Sequence, residues 1–221
     1  MCKPKPKPKR VIYNEGGYDM KENIFKSHSG EKKFITKLEE NEEIYKTREV
    51  PPGAKEKILD IIAKSAYNND RAYEGCSRSV LAALVEHLHL LSYEGAKESI
   101  KASTALAGGV CRMGETCGAL TGGIMAIGLV VGSEKLEDVK AYRKAMEYSY
   151  ILYNKFKEKY GTTCCFEIQE KILGRHYDFK VEEDSKAWYK DGGLDKCPMV
   201  CAAAARITAE IILDLDVVEG K

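Results

Sequence analysis

From Ala54 onward the apolar residues recur at intervals of three and four, and no stretch alternates apolar and polar residues long enough to make a strand. That period restricts the chain to packed helices. Helices are expected over 54–67, 71–91, 94–107, 116–131, 134–160, 164–174 and 198–214, with Gly53, Gly95, Gly108-Gly109, Gly132, Gly161 and Gly192-Gly193 as breaks. Between His176 and Lys196 the acidic residues Asp178, Glu182, Glu183, Asp184 and Asp191 predict a surface loop with a short helix around Trp188. The expected fold is all-α, a single multi-helix bundle with an extended N-terminal arm.

The arm is read at 1–53 and the helical cysteine-bearing domain at 54–221. The run from Lys3 to Arg10 alternates Lys and Pro, a composition that favours a solvated, polyproline-like chain. Residues 31–49 are highly charged, with only Phe34, Ile35, Leu38, Ile44 and Tyr45 to bury, which predicts at most a surface helix. Pro51-Pro52-Gly53 closes the arm.

Lys and Arg number 35 against 34 Asp and Glu, so the chain carries no broad field to steer it toward nucleic acid or a membrane surface. The run Ala119–Val131 has no charge but falls short of the roughly 20 apolar residues that span a bilayer. It reads as a central buried helix. Gly118, Gly122 and Ala126 place small residues every four positions along it, a stripe on which another helix can approach closely. The same stripe leaves a helix-mediated homodimer open.

The 221 residues hold eight cysteines, an unusual number for a chain long enough to build its own core. Met1 leads through Cys2 into the Lys-Pro run without an apolar signal segment, so the expected compartment is the cytoplasm. There most thiols stay reduced, and many cysteines point to metal ligation or redox chemistry before structural crosslinks.

Their positions sharpen that expectation. Cys76 heads a helical face with Val80, Leu84, His87 and Leu91, which directs its sulfur inward. Cys117 opens the most apolar helix, where unpaired amides favour a thiolate or an anionic cluster. Cys197 precedes Pro198, the residue type favoured at a first helical position, so Cys197 is expected as the N-cap of the last helix. Cys201 follows one turn later. Cys164 and Cys165 open another helix, and as neighbours they point in different directions, so at most one joins a shared site. No local Cys-x-x-Cys pair occurs, which argues against zinc fingers, the bacterial ferredoxin run, c-type haem attachment and thioredoxin-type motifs. Dinucleotide, phosphate-loop and nucleophile-elbow motifs are missing too.

The stretch Gly108-Gly-Val-Cys-Arg-Met-Gly-Glu-Thr-Cys-Gly-Ala-Leu-Thr-Gly-Gly-Ile-Met-Ala-Ile-Gly-Leu129 resembles the signature of the C_GCAxxG_C_C family of redox-active proteins. Gly75-Cys76, Thr162-Thr163-Cys164 and Lys196-Cys197-Pro198 extend the likeness over about 54–215. The resemblance implies four characteristic cysteines: Cys76, Cys117, Cys164 or Cys165, and Cys197. Split-Soret cytochromes c resemble this domain and carry an iron–sulfur centre, though their haem motifs are absent here. Cys111 stands where the family often has glycine, Cys164-Cys165 is doubled, and Cys201 is extra.

The leading expectation is an iron–sulfur cluster of unspecified type held by these thiolates, with the amides near Gly118 and Met199 hydrogen-bonding to the sulfurs and an unidentified redox protein as partner. Cys111 and Cys201 are candidate additional ligands. The alternative is a metal-free thiol–disulfide protein or sensor using Cys117 with Cys111 or Cys197. A third reading is structural zinc, which four thiolates also suit. Arg112 is a candidate for neutralising a cluster or thiolate, and Tyr142, Tyr150, Tyr153, Phe156 and Tyr160 read as packing.

Overall fold

The computed structural model describes residues 54–218, so the arm read at 1–53 and its surface helix lie outside the described residues. The chain folds as α1 (Lys55–Tyr73), α2 (Cys76–Leu88), α3 (Tyr93–Ser103), a 3-10 turn (Thr104–Leu106), α4 (Gly118–Val131), α5 (Val139–Tyr160), α6 (Cys165–Leu173), α7 (Glu182–Lys190) and α8 (Gly193–Val218). Among the described residues there is no strand, only one isolated antiparallel bridge between Thr116 and Cys164. The fold is all-α, as the period requires, and no helix among the described residues is long and apolar enough to cross a membrane.

Helix ends follow local chemistry. Asp138 caps α5, its carboxylate accepting from the Ala141 amide at 2.9 Å, and Gly161 at φ +70° closes the same helix. The single helix expected over 71–91 does not form. Gly75 at φ +89° turns the chain there, and Arg78 donates to the Glu74 carbonyl at 3.0 Å and to that of Tyr73, tying off the end of α1. Cys76 thereby becomes the first residue of α2.

The core lies where α8 runs along α1 and also meets α2, α4 and α5. Val80, Leu81, Leu84 and Val85 of α2, Leu120 and Ile127 of α4, Leu152 and Phe156 of α5 and Ala204, Ala205 and Ala209 of α8 are fully buried. Their removal from water is the main stabilising contribution.

The small-residue stripe of α4 is used inside the chain. A Cβ at Gly122 would stand 2.3 Å from the Ser77 carbonyl oxygen, and one at Gly118 would stand 2.4 Å from Cys76 Sγ. On the adjoining face, a Cβ at Gly123 would meet Thr208 Oγ1 of α8 at 2.4 Å. Helix α4 is thus held between α2 and α8, and its glycine stripe is not a free surface for a second copy.

A Gly122→Ala variant tests this close approach. Alanine favours an isolated helix by about 1 kcal/mol, but here the added methyl meets backbone and should cost more, on the order of 1–3 kcal/mol. A lower midpoint in urea, followed by far-ultraviolet circular dichroism, is the expected result.

Candidate functional site: a buried cluster of thiols

The loop before α4 and the loop before α6 are joined by backbone hydrogen bonds. The Cys117 amide donates to the Thr163 carbonyl at 2.8 Å, the Cys165 amide to Glu115 at 2.6 Å, and the Phe166 amide to Gly114 at 3.2 Å. In such antiparallel pairing successive side chains point to opposite faces. Thr116 and Cys164 therefore share one face, while Cys117 and Cys165 share the other.

This parity resolves the doubled cysteine. Cys164 turns away, and its thiol donates to the Gly114 carbonyl at 3.1 Å. Cys165 keeps to the face of Cys117, and its sulfur accepts from Gln169 Nε2 at 3.5 Å. Gln169 is itself fixed, its Oε1 accepting from the Tyr177 amide at 3.0 Å.

Cys76 approaches from α2, with its sulfur seated against Gly118, the first residue of α4. The Gly108 amide also faces that sulfur. It is delivered by an unusual turn in which Gly108, Gly109, Val110, Cys111 and Arg112 all have positive φ, from +53° to +74°. Amides of this turn bond back to Ala105 at 2.8 Å (from Cys111) and Ala107 at 3.1 Å (from Arg112). Cys111 ends exposed on its outside. Arg112 lies over the Phe179 ring, 5.9 Å from its centroid, and so serves packing.

Cys197 and Cys201 come from α8. The expected helix start at Cys197 moves upstream: α8 begins at Gly193, because Gly192 at φ +86° accepts from Asp195 at 3.1 Å and Lys196 at 3.0 Å. Gly193 lies flat against Trp188, where a Cβ would come within 2.0 Å of the indole. Cys197 consequently sits inside the helix, with Pro198 after it, and is no N-cap. Trp188 is buried, and its Nε1–H closes no hydrogen bond although it faces the Cys197 sulfur.

One acidic group joins the thiols. Leu59, Ile62, Ala66 and Asp70 form the buried face of α1, so Asp70 occupies a core position. Its carboxyl is raised to about 6 by burial, despite hydrogen bonds from Cys201 and Ser79. The fully buried Cys201 is pushed well up, first by burial and then by Asp70, Cys76, Cys117 and Cys197.

The remaining sulfurs form one electrostatic unit. Burial, then Cys117 and Asp70, pushes Cys76 well up. Cys165 is held well up by its hydrogen bond to Cys117 and by burial, and Cys197 rises to about 12, mainly through burial. Cys117 alone moves down, because Cys165 donates to it and the Ala119 and Leu120 amides at the start of α4 face it. Burial, with Cys117 and Cys201 nearby, also raises the Tyr160 phenol, which places that residue at the site as well as in the packing.

Of the sequence candidates, Cys76, Cys117, Cys165, Cys197 and Cys201 thus meet, while Cys164 and Cys111 stay apart. The amides that face sulfurs belong to Gly108, Ala119 and Leu120; Gly118 contributes space, and Met199 is 62% exposed. Asp70 and Trp188 were not anticipated as site residues. A carboxylate in register with three apolar residues of one helix face was the available signal for Asp70.

Among the described residues, no three His, Cys, Asp or Glu side chains are grouped so as to hold a single metal ion. Buried thiols and a carboxylate crowd together, and a buried indole donor stands beside them without an acceptor. A positive centre would bring the raised pKa values of the thiols back down, and thiolates would give the indole a partner.

Fold and site define a helical-bundle protein built around a buried multi-thiol centre. The chain belongs to the C_GCAxxG_C_C family, described as "putative redox-active protein", whose model matches residues 74–211. No curated protein and no solved structure matches the chain significantly.

The Asp70 carboxyl makes a stability prediction for the metal-free protein. Its folded value near 6 lies above the ordinary 3.8, so folding favours the protonated form. Stability should therefore fall as pH rises from about 4 through 6, by up to about 3 kcal/mol at 1.36 kcal/mol per unit. Urea titrations across that range should show the loss in the native sequence and a flatter profile in Asp70→Asn.

Proposed function

We propose that the protein carries or stores electrons on an iron–sulfur cluster ligated by Cys76, Cys117, Cys165 and Cys197, serving a redox partner protein. What supports this reading is that thiols from α2, α8 and the paired loops before α4 and α6 influence one another's ionisation, with Cys76 Sγ seated against Gly118 at the start of α4 and Cys201 Sγ facing the Cys76 carbonyl at 4.0 Å. Four thiolates satisfy either common cluster type. The family supports redox activity, and a cluster supplies a reversible electron couple to a chain that has no nucleotide-binding motif.

This chain's residues would do the rest. The amides of Gly108, Ala119 and Leu120 and the Trp188 indole face sulfurs and would donate to them once they are thiolates, which raises a centre's reduction potential. Cys117, Cys165 and Cys201 are themselves buried, which keeps bulk water from their sulfurs. Loading must release protons, since Cys76, Cys165 and Cys197 hold theirs in the ligand-free state. Cys201 and Asp70 border the donors as a buried pair. Zinc at the same thiols is the competing occupant, since four thiolates also suit a tetrahedral zinc ion.

Anaerobic purification with iron, acid-labile sulfide and zinc analysis tests the assignment. Brown protein with matched iron and sulfide is expected. Cys165→Ser and Cys117→Ser should each lose most of it, whereas Cys164→Ser should keep it. A colourless protein, zinc without iron, or loss of iron in Cys164→Ser alone would sink the assignment.

A further inference from the structure

Helix α5 meets α4 and α8 and buries Leu152 and Phe156, while its outer side carries apolar residues that no described helix covers. Val139, Tyr142, Met146 and Tyr150 recur at steps of three, four and four, so they form one stripe along the helix. Each is 50–66% exposed, and Leu136, just before the helix, is exposed almost completely. A helix side that faces water is ordinarily polar, and a contiguous apolar stripe marks a contact surface.

The charges on the edge of the stripe say what it fits. Arg143 and Glu147 lie four residues apart on one flank of it, and among the described residues neither enters an ion pair. Within one helix the order basic then acidic is the less favourable for pairing. We propose that the stripe is the contact between two copies of this chain, each α5 packing antiparallel on the other about a two-fold axis at Ala145. In an antiparallel pair the same flanks of the two stripes meet. Residue 143 then comes level with residue 147 of the other copy, so Arg143 and Glu147 pair twice, once above and once below the axis.

The same register interleaves the apolar side chains. Met146 comes level with residue 144 of the other copy, between its Tyr142 and its Met146, and Tyr150 comes level with residue 140, between Val139 and Tyr142. No two large side chains compete for one level. Lys157, which continues the line of the stripe, comes level with residue 133 and so passes beyond the start of the other α5. Since a covered tyrosine alone buries about 150–250 Å², two such faces withdraw on the order of 1,000 Å² from water, the size a specific association needs. Helix α5 contains no cysteine, so the contact does not rest on the cluster.

Sedimentation equilibrium of the full chain at micromolar concentration, with reductant present to keep the exposed Cys111 from crosslinking, tests the contact. Twice the mass of the chain is expected. Met146→Lys should be monomeric with unchanged far-ultraviolet circular dichroism. Arg143→Glu and Glu147→Arg should each weaken the dimer about tenfold, because each sets like charges opposite one another at both ends of the contact, and the combined variant should recover most of the loss. A monomeric native chain, as expected if another segment or another protein covers the stripe, overturns the proposal. So does a dimer that survives Met146→Lys, or a combined variant no tighter than the single ones. Iron and sulfide content, measured separately, reports on the cluster, so either idea can fail alone.

Discussion

Three backbone hydrogen bonds between 114–117 and 163–166 govern the site more than any side-chain contact does. They fix which way residues on each strand of the short ribbon face, and a shift of one residue would put Cys164 rather than Cys165 beside Cys117. They also set the starting points of α4 and α6. Cys76 reaches the same spot only because α4 lacks side chains at Gly118 and Gly122, which lets α2 come close enough for its first residue to lie against the first residue of α4. Backbone geometry thus gathers the sulfurs, and the chemistry follows from the gathering.

The bundle was legible because helical periodicity is a local property, written over windows of a dozen residues. The cysteines at helix starts were legible for the same reason, through the glycine and threonine that precede Cys76 and Cys117. What the sequence hid was set by neighbours distant in the chain. Cys165 was indistinguishable from Cys164 because their facing depends on pairing with residues some fifty positions earlier. The extra turn of α8 before Cys197 depends on Trp188 packing over Gly193, and the break at Gly75 depends on Arg78 satisfying carbonyls that a longer helix would have used.

The electrostatics make a related point. Taken singly, Cys117, Cys197 and Asp70 are ordinary groups. Brought together, Asp70 and Cys117 add to the rise of Cys197 that burial begins, while Cys117 itself moves down because it combines helix-start amides with a thiol donor. Burial is the first cause for Cys76, Cys197, Cys201 and Asp70, so the site is costly to ionise without a compensating cation. A fold that uses core positions for such groups stabilises itself elsewhere, here through the apolar contacts of α2, α4, α5 and α8.

The left-handed turn at 108–112 fits the same logic. Gly108 and Gly109 adopt it freely, but Val110, Cys111 and Arg112 each lose about 1–2 kcal/mol in that conformation. The turn persists because its amides bond to Ala105, Leu106 and Ala107, because Gly114 and Glu115 bond back to Gly108 and Gly109, and because Arg112 rests on Phe179. Each of these contacts is individually modest. Their joint effect is to hold the Gly108 amide at the Cys76 sulfur and the Gly109 backbone behind Cys165. Strain concentrated next to the thiols, and balanced by bonds that also orient them, is what a pre-organised centre requires.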